Sequence, residues 1–221
     1  MGRAGGEYID FFIKPGDPAP SNHNITVSIL KNFPGFNSYL TCMLEDTDFN
    51  IEMQFVHNSV WLFGVHKPEL GGNSALSLRT ELVRSGPRAY RHGIYQDGHA
   101  INGRVLGFGL GPDVLMLKSS LSHLSNTANL LTANLQYLKR SGNSYRVITK
   151  GNGDFIDLET TDRRPSENHY IIDFNWIVTM SELVNFNINF GLDHVVNKNF
   201  ETDNSKIEYM LEFTVDIFPI F

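Results

Sequence analysis

Between Arg88 and Asp113 the chain reads RAYRHGIYQDGHAINGRVLGFGLGPD, which sets two tyrosines, two histidines and three arginines among a run of glycines. Residues of these types serve several chemistries. The GFGLG run would cradle a phosphate if it joined a strand to the N-terminus of a helix. The next segment, Asp113-Val-Leu-Met-Leu-Lys, reads instead as a strand, so the glycines are expected to permit positive φ and close packing in a long loop. His92, Asp97 and His99 are zinc-ligand types, but their spacing fixes no two of them on one face of a helix or strand. The plainer reading is that His92 orders the loop by hydrogen bonding. Carboxylates are plentiful enough for a glycosidase pair, yet nothing selects a pair and no nucleophile sits in a recognisable elbow. No enzyme and no cofactor are expected.

Sugar binding suits the residue types best. Tyrosine rings stack on the apolar faces of sugars, while Asn, Asp and His hydrogen-bond their hydroxyls. Arginine clamps carboxylates through two parallel bonds. The candidate contact residues are Arg88, Tyr90, Arg91, His92, Tyr95, Asp97 and Arg104, joined by Tyr145 and Arg146 from a second polar stretch that also holds Arg163 and Arg164.

The elements that must carry these residues are strands. In IEYMLEFTVDIFPIF, Tyr209, Leu211, Phe213, Val215 and Ile217 alternate with Met210, Glu212, Thr214 and Asp216. That is period-2 patterning over about nine residues, the length of a tilted membrane-spanning strand. VNFNINFGLD sets Val184, Phe186, Ile188, Phe190 and Leu192 against Asn185, Asn187, Asn189, Gly191 and Asp193. HYIIDFNWIVT and LSLRTEL alternate in the same way, and helical spacing of apolar residues persists nowhere. The chain is therefore all-β.

Connection lengths alternate. Short turns at Pro34-Gly35, Pro68 to Asn73, Ser122 to Asn126 and Met180 to Leu183 separate longer polar connections. The long ones are KPGDPAPSNHN, EDTDFN, Pro87 to Pro112, Arg140 to Glu167 and HVVNKNFETDNSK. About ten strands with short turns at one rim and long loops at the other is the pattern of an antiparallel transmembrane β-barrel. A soluble sandwich varies its loops without strict alternation and carries more lysine on its wet faces. Here the Asn and Ser faces suit a watery lumen, and the Leu, Phe and Val faces suit lipid. The terminal aromatic Phe221 suits recognition by the outer-membrane insertion machinery.

Composition agrees with this class. The chain has 221 residues and a formal net charge of -6, with no long basic run, so a nucleic-acid partner is not expected. Cys42 is the one cysteine, which excludes an intrachain disulfide and a cysteine-based metal site. No stretch approaches the roughly 18 consecutive apolar residues of a membrane-spanning helix. The opening MGRAGGEYID lacks the apolar core of a secretory signal peptide. An exported barrel needs one, so the chain is expected to be a C-terminal fragment of a longer outer-membrane protein, with the signal upstream.

The sequence resembles the capsule assembly protein Wzi family. The residues that carry the resemblance are Tyr90, His92, Ile94, Tyr95, Gly98, Gly103-Arg104, Gly107, Gly109, Gly111 and Asp113, flanked by Glu45-Asp46 and Arg79–x–Glu81. Phe108 departs from it, standing where the family is expected to have histidine. The resemblance spans nearly the whole chain but only the C-terminal half of a typical member. It implies a larger outer-membrane barrel, surrounded by lipid and lipopolysaccharide, that binds capsular or exopolysaccharide at the cell surface. An open porin and a soluble β-rich carbohydrate-binding domain are the alternative readings. In either membrane reading, rim arginines also suit lipopolysaccharide phosphates or nearby acids such as Asp97.

Overall fold

A computed structural model describes residues 7–13, 24–45, 53–89, 100–101, 104–105, 110–125, 129–151, 155–181 and 184–217. In chain order the strands are β1 (Glu7–Ile13), β2 (Asn24–Phe33), β3 (Phe36–Glu45), β4 (Ser59–Lys67), β5 (Leu76–Ser85), β6 (Ala100–Ile101) and β7 (Arg104–Val105). They continue with β8 (Val114–Leu124), β9 (Leu130–Arg140), β10 (Ser144–Thr149), β11 (Phe155–Asp162), β12 (Glu167–Ser181), β13 (Val184–Val196) and β14 (Lys206–Ile217). Two short helical turns, Met53–His57 and Lys198–Phe200, sit in connections. No helix among the described residues is long and apolar enough to cross a membrane.

Ten strands form one antiparallel sheet in the order β1-β2-β3-β4-β5-β8-β9-β12-β13-β14. Every strand pairs with its neighbour in sequence once the two small hairpins, β6–β7 and β10–β11, are set aside. The sheet is open: among the described residues β1 and β14 are not paired with each other. Closure into a barrel is thus not part of this structure, although the antiparallel all-β architecture expected from the alternation is.

Register keeps the two faces chemically separate. One row runs Ile29, Leu40, Phe63, Leu82, Leu117, Tyr137, Tyr170 across seven adjacent strands. The apolar side chains of this face are largely exposed, with Leu135 at 59% and Phe213 at 69%. The opposite face carries cross-strand polar pairs. Ser120 Oγ lies 2.5 Å from Asn134 Oδ1, and Asn134 Nδ2 donates to Asp173 Oδ1 at 2.5 Å. Asn175 Nδ2 donates to Asn187 Oδ1 at 2.7 Å, and Asn189 Nδ2 to Glu212 Oε2 at 3.3 Å. A polar group away from bulk water is costly unless it is bonded, and these strands satisfy one another side chain to side chain.

Short connections all lie at one end of the sheet and long ones at the other, as the lengths predict. At the long-loop end the polar face changes character. Val60, Val83, Val114, Met116 and Leu138 form a buried cluster there, capped by the fully buried Ala89, with Met43, Leu62 and Leu110 packed around it. Burying each valine there contributes about 1.5–3 kcal/mol. Ala89 and Leu110 belong to the two ends of the glycine-rich stretch, which therefore returns onto the sheet at both ends.

Several elements differ from the sequence reading: β8 runs to Leu124 and β12 to Ser181, so that pairing extends into the stretches read as short turns at Ser122 to Asn126 and Met180 to Leu183. β13 runs on through His194–Val196, because His194 pairs with Ile207 and Val195 with Lys206; in sequence these residues read as the start of a polar loop. The two longest connections each contain a hairpin, β6–β7 and β10–β11, rather than loop alone.

Candidate functional site

Three chain segments are knotted together at the long-loop end. Ser85 closes β5, and its hydroxyl donates to the Gly111 carbonyl at 2.8 Å and accepts from the Val114 amide at 3.0 Å. The Asp113 amide donates to the Gly86 carbonyl, and the Ser141 amide to the Asp113 carbonyl, each at 3.0 Å. The glycine-rich stretch is pinned at its start as well, where the Arg88 amide donates to the His57 carbonyl at 3.0 Å. Gly111 has φ 80 and Asp113 φ 53; the first bears out the expectation that a glycine here supplies a left-handed backbone. β8, a strand and not a helix, comes after the glycines, so the phosphate-cradle reading fails.

Asp113 also ties this stretch to the second long loop. Its carboxylate accepts the hydroxyl of Tyr145, on β10. Asn143 Nδ2 donates to the same hydroxyl oxygen at 3.4 Å, while Asn143 Oδ1 accepts the Arg164 amide at 3.3 Å. Burial and the bond to Asp113 raise the Tyr145 pKa above the ordinary phenol range.

The sequence candidates fare unequally. Tyr145 is half-buried with its hydroxyl engaged. Arg146, its neighbour, is exposed and paired with Glu159 across the hairpin at 2.5 Å. Arg164 pairs with Asp162 at 2.8 Å. Arg104 stands in β7, where Ile101 is its backbone partner. Tyr90, Arg91, His92, Tyr95, Asp97 and Phe108 lie outside the described residues, as does Phe221. Arg79 and Glu81 form an ion pair at 2.6 Å. No group of three or more Asp, Glu, His or Cys side chains among the described residues is arranged to hold a metal ion.

Beside the knot opens a cleft of about 440 Å³, whose lining includes Arg84, Asp113, Lys139, Ser141, Asn143 and Tyr145. Sequence reasoning missed Arg84 and Lys139. Their signal was present: each is the first cation to interrupt an apolar alternation, Leu78–Thr80–Leu82–Arg84 and Leu135–Tyr137–Lys139, at the same end of the sheet. A deeper polar network lies on the other face. The Glu167 carboxylate accepts from Arg140 Nη1 at 3.1 Å and from the Asn199 amide at 2.8 Å, with His169 Nε2 at 3.2 Å and His169 Nδ1 lying 2.7 Å from Asp193.

A sheet with an exposed apolar face, a bonded polar face and loops knotted at one rim is found in outer-membrane barrels. The fold is similar to that of Wzi. That solved structure is described as Wzi, an outer membrane protein involved in group 1 capsule assembly in Escherichia coli and a carbohydrate-binding β-barrel. The likeness has a TM-score of 0.55 at 12% sequence identity, and it covers 96% of this chain. The chain spans 56% of the length of Wzi. No family model and no curated protein matches the sequence. At this identity the likeness to Wzi is one of fold, and it agrees with the resemblance read from the glycine-rich stretch and its flanks.

Proposed function

We propose that the protein forms part of an outer-membrane β-barrel that binds capsular or exopolysaccharide and anchors it at the cell surface during capsule assembly. The observation that carries this reading is the reversal of the two faces. Large apolar side chains cover the exposed face over the length of the strands, and the Asn, Ser and Asp side chains bond one another on the other. Lipid solvates the first face and a watery lumen the second. The likeness to a carbohydrate-binding barrel supports the glycan half of the reading. So does a long-loop end rich in arginine, tyrosine and asparagine, where Arg88 adjoins Ala89 of the buried cluster. Phe221 would serve the insertion machinery, and no reaction is proposed.

The test has two stages. Detergent-dependent solubility and a folded gel band that shifts on boiling are expected of the barrel; purification without detergent would instead assign a soluble β domain. Changing Arg88, Arg91 and Arg104 together to Ala should then leave the barrel folded while weakening retention of polymer on the cell. Unchanged cell-bound capsule in that variant removes the loop from glycan binding. Steady conductance in planar bilayers would favour an open channel.

A further inference from the structure

On the apolar face, one register row at the long-loop rim reads Trp61, Arg84, Leu115, Lys139, across β4, β5, β8 and β9. Arg84, Leu115 and Lys139 are exposed. Among the described residues no ion pair holds either cation. Asp113, the one carboxylate among the described residues that line their cleft, is engaged by Tyr145. Immediately toward the middle of the sheet on the same face stand Phe63, Leu82, Leu117 and Tyr137. The row is thus a boundary, apolar on one side and knotted polar loop on the other.

Trp61 marks the same level. Its place in the register is on the apolar face, and its Nε1 donates to the Phe55 carbonyl at 3.0 Å and to Ser59 Oγ at 2.9 Å, toward the long-loop end. An indole with a bonded polar edge and an apolar body is the side chain that settles where hydrocarbon meets headgroup.

We infer that Arg84 and Lys139 form a binding site for a lipid-borne phosphate monoester in the outer leaflet, a phosphorylated glycolipid being the natural class. The inference rests on the membrane reading proposed above. Two strand spacings of about 4.8 Å separate the two backbones, close enough for both flexible cations to reach one phosphate. Leu115 between them meets the first methylenes of the acyl chains. Ser141 and Asn143 line the same cleft. The face decides between ligands: a polysaccharide reaches the barrel from the solvent above the loops, whereas these cations project from the side that acyl chains cover.

The experiment uses the protein purified in detergent, with Trp176→Phe so that Trp61 is the sole tryptophan, reconstituted in phosphatidylcholine vesicles. The probe is brominated phosphatidic acid, compared with brominated phosphatidylcholine at equal dose, and quenching of Trp61 is read. A preference for phosphatidic acid of about fivefold per cation is expected, falling to parity in R84Q/K139Q and kept in R84K. Retention of the preference in R84Q/K139Q overturns the site. So does parity in a parent protein that floats with the vesicles, and this leaves the barrel reading standing. Failure to float sinks the barrel reading and the site with it. Loss of the quenching difference on adding a soluble polyuronate would reassign the cleft to glycan and also overturn the lipid site. Gel mobility before and after boiling confirms that each variant is folded.

Discussion

The Tyr39 ring on β3 lies across the bare backbone of Gly64 on β4, and its hydroxyl reaches Glu81 on β5 at 2.6 Å. The three residues share one register row, so the tyrosine crosses a whole strand to find its partner. A Cβ on Gly64 would overlap the ring at Tyr39 Cζ. Arg79 completes the joint, donating to the tyrosine hydroxyl at 2.7 Å and to Glu81 at 2.6 Å.

Gly64→Ala is therefore expected to displace the ring, break these bonds and destabilise the sheet by about 1–3 kcal/mol. Tyr39→Ala in the same background should recover part of that loss, because the clash disappears with the ring. Denaturant midpoints for the two single variants and the double variant measure the coupling. Strict additivity would show that the joint is not a unit.

The Glu167 carboxylate is buried and holds Arg140, His169 and the Asn199 amide together. Glu167→Ala strands several donors at once and should cost about 1–3 kcal/mol. Arg146→Ala removes an exposed pair with Glu159 and should cost at most about 1 kcal/mol. The comparison by unfolding in one detergent would fail if the two variants lost equal stability.

Leu135 sits midway along β9 on the apolar face and is 59% exposed. In a lipid-facing position Leu135→Arg should destabilise by about 2–4 kcal/mol. On the surface of a water-soluble domain the same change would be close to neutral. Reversible unfolding in vesicles, with Asn134→Ala on the opposite face as reference, distinguishes the two environments.

Tyr145 has its pKa raised by burial and by the bond to Asp113. A folded-state value above the unfolded one contributes stability that is complete below the unfolded phenol range and is lost as pH rises through the folded value. The knot between the two loops should thus open only in strongly alkaline solution. Protease nicking of the hairpin, followed against pH, should show this step, and Tyr145→Phe should show the nicking already at neutral pH. An identical profile in Tyr145→Phe would leave the hydroxyl with no part in the knot.

The strands were legible because half-burial writes a period of two directly into the sequence. Phe186, Ile188 and Phe190 against Asn185, Asn187 and Asn189 leave no other reading, and the register confirms it. The loop architecture was not. β10 and β11 are short and polar, and shifts between Ser144 and Tyr145 and between Ile148 and Thr149 interrupt their alternation. Ala89 and Leu110 give no local sign that they join the cluster around Val83, since that packing depends on where both loop ends land. Arg84 and Lys139 lie 55 positions apart in sequence (139 − 84) and share a row only through the register of β8 with both its neighbours.

Apart from the two hairpins set in its long loops, the sheet is a meander, with each inner strand bonded to the sheet strands that precede and follow it in the chain. In such an arrangement a hairpin is a separable module. Adding or deleting two successive strands changes the width of the sheet and leaves every other pairing, and the face each residue presents, as it was. A lineage of walls built this way can widen or narrow in steps of two while its rim sites persist, because a site such as the Arg84–Lys139 row needs only its own few strands.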